Sequence, residues 1–226
     1  MSAAPIRLIL AGATGFAGNA VLEQALQDDG VAQVTVLTRR PLTLSHPKLK
    51  QIRIADFTDY SRIPEQDLIV DACIWCLGVS QTAVGKDEYV RITVDYALAA
   101  AKALLARNPQ LRFCFLSGSR ADQQERSKVY YGRIKGRTER LLSELTPNAF
   151  HFRPAMIREP GGSVRPPRLA RALVPLARVL DRFSEQVSVE CLQLARCMLD
   201  VARHGAAQRV FDNRRIKHWR GDGIDA

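Results

Sequence analysis

Tyr131 and Lys135 are the residues of this sequence best suited by type and spacing to transfer a proton. They stand four positions apart in a segment that predicts a helix over 129–145, so both side chains share one helix face. A lysine cation beside a tyrosine favours the phenolate form and makes the phenol useful in acid–base chemistry. Such pairs also arise by chance, but the neighbouring Tyr130 has no lysine four residues further on.

Two serines precede this helix at a position where α/β proteins bind ligands. Ser117 and Ser119 directly follow the apolar segment 111–116, which predicts a buried strand. Ligands of open α/β sheets lie at the carboxyl ends of the strands, where a serine hydroxyl could hydrogen-bond a substrate carbonyl oxygen. We therefore predict that these serines act with Tyr131 and Lys135 as a catalytic group, and the choice between the two serines stays open.

A glycine-rich turn near the N-terminus predicts a phosphate-binding loop. Gly12, Gly15 and Gly18 recur every third residue between an apolar strand (6–11) and a segment of helical period (19–28). The first glycine would permit the tight turn, the second would let a pyrophosphate approach the backbone, and the third would allow close helix–strand packing. The helix start adds free N–H groups and a positive dipole end. The predicted cofactor contacts of this loop are Gly12, Thr14, Gly15, Phe16 and Gly18.

The end of the second predicted strand indicates which dinucleotide would bind. An NAD(H) site would carry Asp or Glu there for the ribose 2′-hydroxyl. Arg39 and Arg40 stand in that place instead, and two guanidiniums suit a 2′-phosphate, so NADP(H) is preferred over NAD(H). An exposed arginine pair without a ligand is the alternative. After the third strand, Asp56 and Phe57 are placed near the adenine, although Asp56 suits a helix N-cap equally well.

Strands alternate with helices along the chain, which predicts an α/β fold with a doubly wound parallel sheet and helices on both faces. The predicted strands are 6–11, 33–38, 49–55, 68–77, 111–116, 150–152 and 209–213. The predicted helices are 19–28, 87–107, 129–145 and 190–204. We expect one domain over 1–226, in which 155–226 forms a variable substrate-side lid and the last strand.

The 226 residues carry 33 basic and 23 acidic side chains, a formal charge of +10. Such an excess raises nucleic acid or an anionic membrane as a partner, but no nucleic-acid-binding module accompanies it. No apolar run reaches the roughly 18 residues of a membrane-spanning helix. Five basic residues lie between 165 and 182 in a stretch that predicts an amphipathic helix. We expect a small-molecule substrate, with an anionic substrate, an acidic protein partner and a homodimer left open.

The cysteines and histidines do not predict a metal or redox centre. Cys73 and Cys76 match a C-x-x-C pattern, but both fall within the predicted fourth strand and are expected to be core residues. The four histidines lack the spacing of zinc ligands. Five cysteines are an odd number at low density, which favours a reducing compartment and a cytoplasmic location.

Taken together, the glycine loop, the arginine pair, the serines and the Tyr/Lys pair resemble the short-chain dehydrogenase/reductase superfamily. The sequence is most similar to its atypical members of the NmrA-like and Tat-interacting-protein type. This resemblance implies a Rossmann fold, NADP(H) and Ser/Tyr/Lys chemistry, and it covers roughly residues 5–213. It also implies that Leu77 and Gly78 border the nicotinamide, and it extends the cofactor site to Arg153 and Pro154.

Three functions fit these residues. The first is an NADPH-dependent reductase of a carbonyl compound. The second is a non-catalytic NADP(H)-binding regulatory protein that acts through a protein partner, since some NmrA-like proteins bind the dinucleotide without catalysis. The third, action on a nucleotide sugar, uses the same catalytic residues but usually needs a larger C-terminal substrate region.

Overall fold

The computed structural model describes residues 4–159 and 188–220, and within them a parallel sheet forms the centre of the fold. Its strands are β1 (Ile6–Ala11), β2 (Val31–Thr38), β3 (Leu49–Arg53), β4 (Ala72–Trp75), β5 (Arg112–Leu116), β6 (Ala149–Arg153) and β9 (Val210–Asp212). A small parallel pair consists of β7 (Met156–Arg158) and β8 (Ser188–Glu190).

The main sheet has the order β3-β2-β1-β4-β5-β6-β9, and every neighbouring pair is parallel. The order of strands along the chain reverses between β1 and β4. At such a switch point, a crevice opens beyond the carboxyl ends of the strands, where open α/β sheets bind their ligands. The predicted doubly wound Rossmann fold is confirmed.

Helices cover both faces of this sheet. They are α1 (Phe16–Gln27), α2 (Glu65–Leu68), α3 (Lys86–Val90), α4 (Tyr96–Leu105), α5 (Tyr130–Leu145), α6 (Cys191–His204) and α7 (Asn213–His218). Alternate residues of the strands supply two cores. Leu8 and Leu10 of β1 pack with α1 and α6 on one face, whereas Ile9 and Ala11 pack with α4 and α5 on the other.

Two predicted elements differ from the structure by more than the position of their ends. The helix predicted over 87–107 is divided by a π-helical turn, Arg91–Asp95, because the chain takes a wider turn there without losing its apolar period. The strand predicted over 68–77 is shorter, because Leu68 ends α2 and the Asp71 carboxylate accepts the backbone N–H of Arg7 at 2.7 Å. Pairing of β4 with β1 therefore begins at Ala72.

The shorter β4 corrects one prediction about the cysteines. Cys73 is fully buried in the core, as expected, but Cys76 lies beyond the end of β4 and lines the crevice. The expectation that Cys76 is a core strand residue is therefore wrong. The stretch of basic residues between 165 and 182 lies outside the described residues, as does most of the predicted lid.

Neither a membrane-spanning helix nor a metal-binding cluster is present in the part of the chain that the structure describes. No helix in 4–159 or 188–220 is both long and apolar enough to cross a bilayer. Over the same ranges, no group of three or more His, Cys, Asp or Glu side chains could hold a metal ion.

His151 makes the stability of the fold depend on pH. It is fully buried on β6, with Nε2 2.8 Å from the Ser143 hydroxyl, and desolvation lowers its pKa from 6.5 to about 4. Unfolded chains therefore take up a proton at a higher pH than the folded protein does. Stability is complete above about pH 6.5 and falls as the pH drops towards 4.

Because of His151, we expect the free energy of unfolding to fall by about 2 kcal/mol when the pH is lowered from 7 to 5. Urea unfolding at both pH values measures the difference, and His151→Gln should abolish most of it whatever its own stability. The same pH dependence in His151→Gln would assign the effect to another group.

Candidate functional site

A cleft of about 470 Å³ lies at the carboxyl ends of β1, β4, β5 and β6, at the switch point of the sheet. It brings together most of the residues that the sequence predicts to act chemically. The predicted residues that line it are Gly15, Phe16, Gly18, Gly78, Ser117, Ser119, Tyr131, Lys135 and Pro154. The predicted residues outside its lining are Gly12, Thr14, Arg39, Arg40, Asp56, Phe57, Leu77 and Arg153.

The glycine-rich turn packs too closely for side chains at two positions. Gly12 has a positive φ of 86°, and a Cβ there would lie 2.5 Å from the carbonyl carbon of Cys76. A Cβ on Gly18 would overlap the carbonyl oxygen of Gly12. The loop is therefore pressed against both the end of β4 and its own helix. Thr14, at the tip of the turn, is exposed and lines a neighbouring pocket between α1 and the start of α6.

The start of α1 offers the cleft a set of free backbone donors. Gly15 precedes the helix without a side-chain cap, and the first turn contains no acidic residue. The N–H groups of the first turn have no partner inside a helix, and the helix dipole is positive at this end. A Cβ on Gly15 would contact only the Gly12 carbonyl, at 3.3 Å, so its outer side is open. These features fit the pyrophosphate of a dinucleotide.

Helix α5 is held against the loop that follows β5. A Cβ on Gly132 would overlap the carbonyl oxygen of Arg120, and one on Gly136 would overlap that of Asp122. The backbone N–H of Asp122 also donates to the Gly132 carbonyl at 3.1 Å. These contacts fix the position of α5 against the loop that follows β5, and therefore the position of Tyr131.

Tyr131 lies at the first turn of α5, facing the end of β5. Its backbone N–H donates to Gln81 Oε1 at 2.9 Å, which ties α5 to the loop after β4. A Cβ on Gly118 would lie 3.3 Å from Tyr131 Cε2, so the ring packs directly over the turn between the two serines.

Lys135 lies one helical turn deeper in the cleft. Its ammonium donates to the Leu116 carbonyl at 2.7 Å and lies 4.6 Å from the centre of the Phe115 ring. Loss of water around the ammonium lowers the pKa of Lys135 to about 8. The lysine is therefore a cation at neutral pH that reaches the carboxyl ends of β4 and β5.

The two serines have different surroundings. Ser117 is buried, and its hydroxyl donates to Glu139 Oε1 at 2.5 Å. Ser119 is exposed, and its backbone N–H donates to the Pro154 carbonyl at 3.0 Å.

Glu139 is a buried residue of this site that the sequence analysis missed. It is fully buried and forms a two-pronged ion pair with Arg153, at 2.9 Å from Nε and 2.5 Å from Nη2. Its position four residues after Lys135, on the same helix face, was the available signal. Arg153 was predicted to contact the cofactor, and in the structure its guanidinium contacts Glu139.

The arginines at the end of β2 lie at the surface beyond the cleft. Arg39 and Arg40 are both exposed, and neither forms an ion pair with a residue of 4–159 or 188–220. The Thr38 hydroxyl donates to the Arg40 carbonyl at 2.6 Å and shapes the turn that carries them. Two unpaired guanidiniums thus flank the strand end next to β1.

Asp56 and Phe57 follow β3 on the same edge of the sheet. The Asp56 carboxylate accepts the backbone N–H and the hydroxyl of Thr58, which lowers its pKa, and it pairs with Arg91 at 3.4 Å. It therefore caps a turn, not a helix. The Phe57 ring is buried against Trp75 and Tyr96, so only its backbone is available to a nucleotide.

Comparison with known proteins finds a matching family and a relative of similar length. A sequence profile of the NAD dependent epimerase/dehydratase family matches residues 8–130. The chain is also 26% identical over 220 residues to Protein HTATIP2 of Rattus norvegicus, which covers 93% of this chain and 88% of that relative.

Solved structures share the fold. UDP-N-acetylglucosamine 4-epimerase from Methanobrevibacter ruminantium M1, in complex with UDP-N-acetylmuramic acid, matches with a TM-score of 0.65 at 15% identity. That match covers 92% of this chain and 76% of the epimerase. The Bordetella bronchiseptica enzyme WbmG, in complex with NAD and UDP, matches with a TM-score of 0.66 at 14% identity, over 92% of this chain and 72% of the enzyme.

Proposed function

This chain belongs to the NAD dependent epimerase/dehydratase family, and on that basis we propose that it is an NADP(H)-dependent oxidoreductase of the short-chain dehydrogenase/reductase type. Its substrate would be a small carbonyl compound. The observation that carries the proposal is the cleft in which two serines, Tyr131 and Lys135 face the open start of α1. The residues thus combine a phosphate site with acid–base groups.

The bound dinucleotide would supply a hydride to the substrate. Tyr131, at the first turn of α5, would give its phenolic proton to the carbonyl oxygen. Lys135, as a cation, would favour the phenolate that remains and hydrogen-bond the ribose hydroxyls. A serine hydroxyl at the end of β5 would hold the carbonyl oxygen, and the start of α1 would hold the pyrophosphate.

The preference for NADP(H) is supported by the two unpaired guanidiniums at the end of β2. The structure of the loop leaves Arg39 and Arg40 exposed beside β1, and no carboxylate of the described residues neutralises them. A 2′-phosphate on the adenosine ribose would accept charge-assisted hydrogen bonds from them.

We expect Arg39→Ala to weaken NADPH binding by about 10-fold, the equivalent of one charge-assisted hydrogen bond, and to leave NADH binding unchanged. Fluorescence titration with both nucleotides measures the change. Arg62→Ala removes an exposed arginine elsewhere and serves as the matched control. Equal weakening of NADH and NADPH binding, or tighter binding of NADH than NADPH by the unchanged protein, would contradict the assignment.

The second candidate is an NADP(H)-binding regulatory protein without catalysis. It is supported by the fact that the residues proposed for the phosphates, at the start of α1 and at the end of β2, are different from Tyr131 and the serines, so the dinucleotide could bind without catalysis. A panel of aldehydes, ketones and quinones separates the two candidates, since the second predicts NADPH binding without turnover. Under either candidate we propose one domain over 1–226, and an acidic protein partner or a homodimer belongs mainly to the second.

A further inference from the structure

The hydroxyl groups of the two serines in the cleft differ in their hydrogen-bond partners. The Ser117 hydroxyl lies 2.5 Å from Glu139 Oε1. The Ser119 hydroxyl is exposed, and it has no hydrogen-bond partner among residues 4–159 and 188–220. The two groups therefore cannot present the same chemistry to a ligand.

Glu139 accepts hydrogen bonds from three side chains. Besides Ser117, its two oxygens receive Nε and Nη2 of Arg153, and Oε2 also receives Gln123 Nε2 at 3.2 Å. Burial is the largest single influence on the pKa of Glu139 and would raise it, but the hydrogen bonds from Arg153 and Ser117 and the neighbouring positive charge together hold the pKa below its ordinary value. An ionised carboxylate has no proton to donate, so the proton between Glu139 and Ser117 belongs to the serine.

A serine hydroxyl has one proton and two lone pairs. Since the proton of Ser117 is directed at Glu139, only its lone pairs are left for the cleft. We infer, on the basis of the proposed function, that Ser117 is a hydrogen-bond acceptor that selects an O–H or N–H donor on the bound ligand. Glu139 is its positioning residue, and of the two serines only Ser119 donates to the substrate carbonyl oxygen, beside Tyr131.

The donor that meets Ser117 can belong to either of two molecules. One is a substrate with a hydroxyl group next to its carbonyl, and the other is the nicotinamide cofactor, whose carboxamide carries an N–H. Both offer the same chemistry to the serine oxygen. Comparison of two aldehydes, together with direct binding of NADPH, distinguishes them.

The kinetic test uses the full chain with NADPH and two aldehydes. Glyceraldehyde has a hydroxyl next to its carbonyl, and propanal has none. We expect Ser119→Ala to lower kcat by about 100-fold with both, as for loss of a donor to a developing oxyanion. We expect Ser117→Ala to weaken binding by about 3- to 10-fold and to change kcat less. The weaker binding appears as a higher KM for glyceraldehyde alone if the donor is on the substrate, and as a higher Kd for NADPH if it is on the cofactor. Ser61→Ala, at an exposed serine that does not line the cleft, is the control.

A spectroscopic test is independent of turnover. A buried hydroxyl proton that is hydrogen-bonded to a carboxylate should give a slowly exchanging proton resonance in the free protein. It should vanish in Ser117→Ala, persist in Ser119→Ala, and move or vanish in Glu139→Gln, whose fold is checked from its remaining spectrum.

The outcomes separate this inference from the proposed function. Absence of turnover with every carbonyl compound would remove the proposed function, while the resonance and the NADPH Kd would still decide the role of Ser117. An equal loss of kcat in Ser117→Ala and Ser119→Ala would overturn the inference. So would a Ser117→Ala variant with unchanged KM and Kd, or a wild-type protein without the resonance.

Discussion

Replacing Tyr131 by phenylalanine is expected to lower turnover by at least about 100-fold, the lower end for loss of an acid–base group. The ring would still pack over Gly118, and the backbone N–H would still donate to Gln81, because neither contact uses the phenolic oxygen. NADPH binding should therefore stay within a factor of about two, since the start of α1 and the arginine pair are untouched. Steady-state kinetics and NADPH titration on the same preparation measure both quantities.

Tyr130 provides a matched control for this experiment. It is the adjacent residue on α5, and its hydroxyl lies 3.5 Å from the Lys86 carbonyl while its ring packs near Tyr89. Tyr130→Phe removes the same atom one residue away and is expected to retain its activity. Turnover by Tyr131→Phe equal to that of Tyr130→Phe would refute the acid–base role.

Replacing Glu139 by alanine is expected to cost about 3 kcal/mol of unfolding free energy. The substitution leaves the Arg153 guanidinium without its carboxylate, and it leaves the Ser117 hydroxyl without its acceptor. The value is at the lower end for a broken buried pair because the Arg153 side chain is 23% exposed and can reach water.

Glu144 is the control for this second prediction, because it lies on the same helix and also pairs with an arginine. Its partner is Arg140, at 2.9 Å and four residues earlier, and both side chains are largely exposed. Glu144→Ala should cost no more than about 0.5 kcal/mol. Urea unfolding of both variants at pH 7 gives the comparison, and equal costs would show that burial of Glu139 contributes nothing.

The parts of the site that the sequence predicts are those set by local spacing. Gly12 and Gly18 lie within one strand–turn–helix unit, and the pairing of Tyr131 with Lys135 is fixed by the helical repeat. One further rule predicts that Ser117 lies near this pair: ligands of a parallel sheet bind at the carboxyl ends of its strands, and Ser117 follows β5. The fold class follows from the same regular alternation.

What the sequence does not predict depends on contacts between distant segments. Nothing in the sequence around Glu139 distinguishes it from a glutamate on a helix surface, because its burial depends on the ion pair with Arg153 of β6. The position of Cys76 was misjudged because the apolar run continues past the point where β4 leaves the sheet. The division of the 87–107 helix was missed because a π-helical turn barely changes the apolar pattern.

The contact between α5 and the loop after β5 has a consequence for how this site would respond to mutational scanning. Gly132 and Gly136 hold the helix in place by having no side chain, so the backbone carbonyls of Arg120 and Asp122 occupy the space that a methyl group would need. An alanine scan tests residues by removing side-chain atoms, so it is usually not applied to glycines. Here the informative change is an added methyl group, which would displace α5 without altering Tyr131 or Lys135.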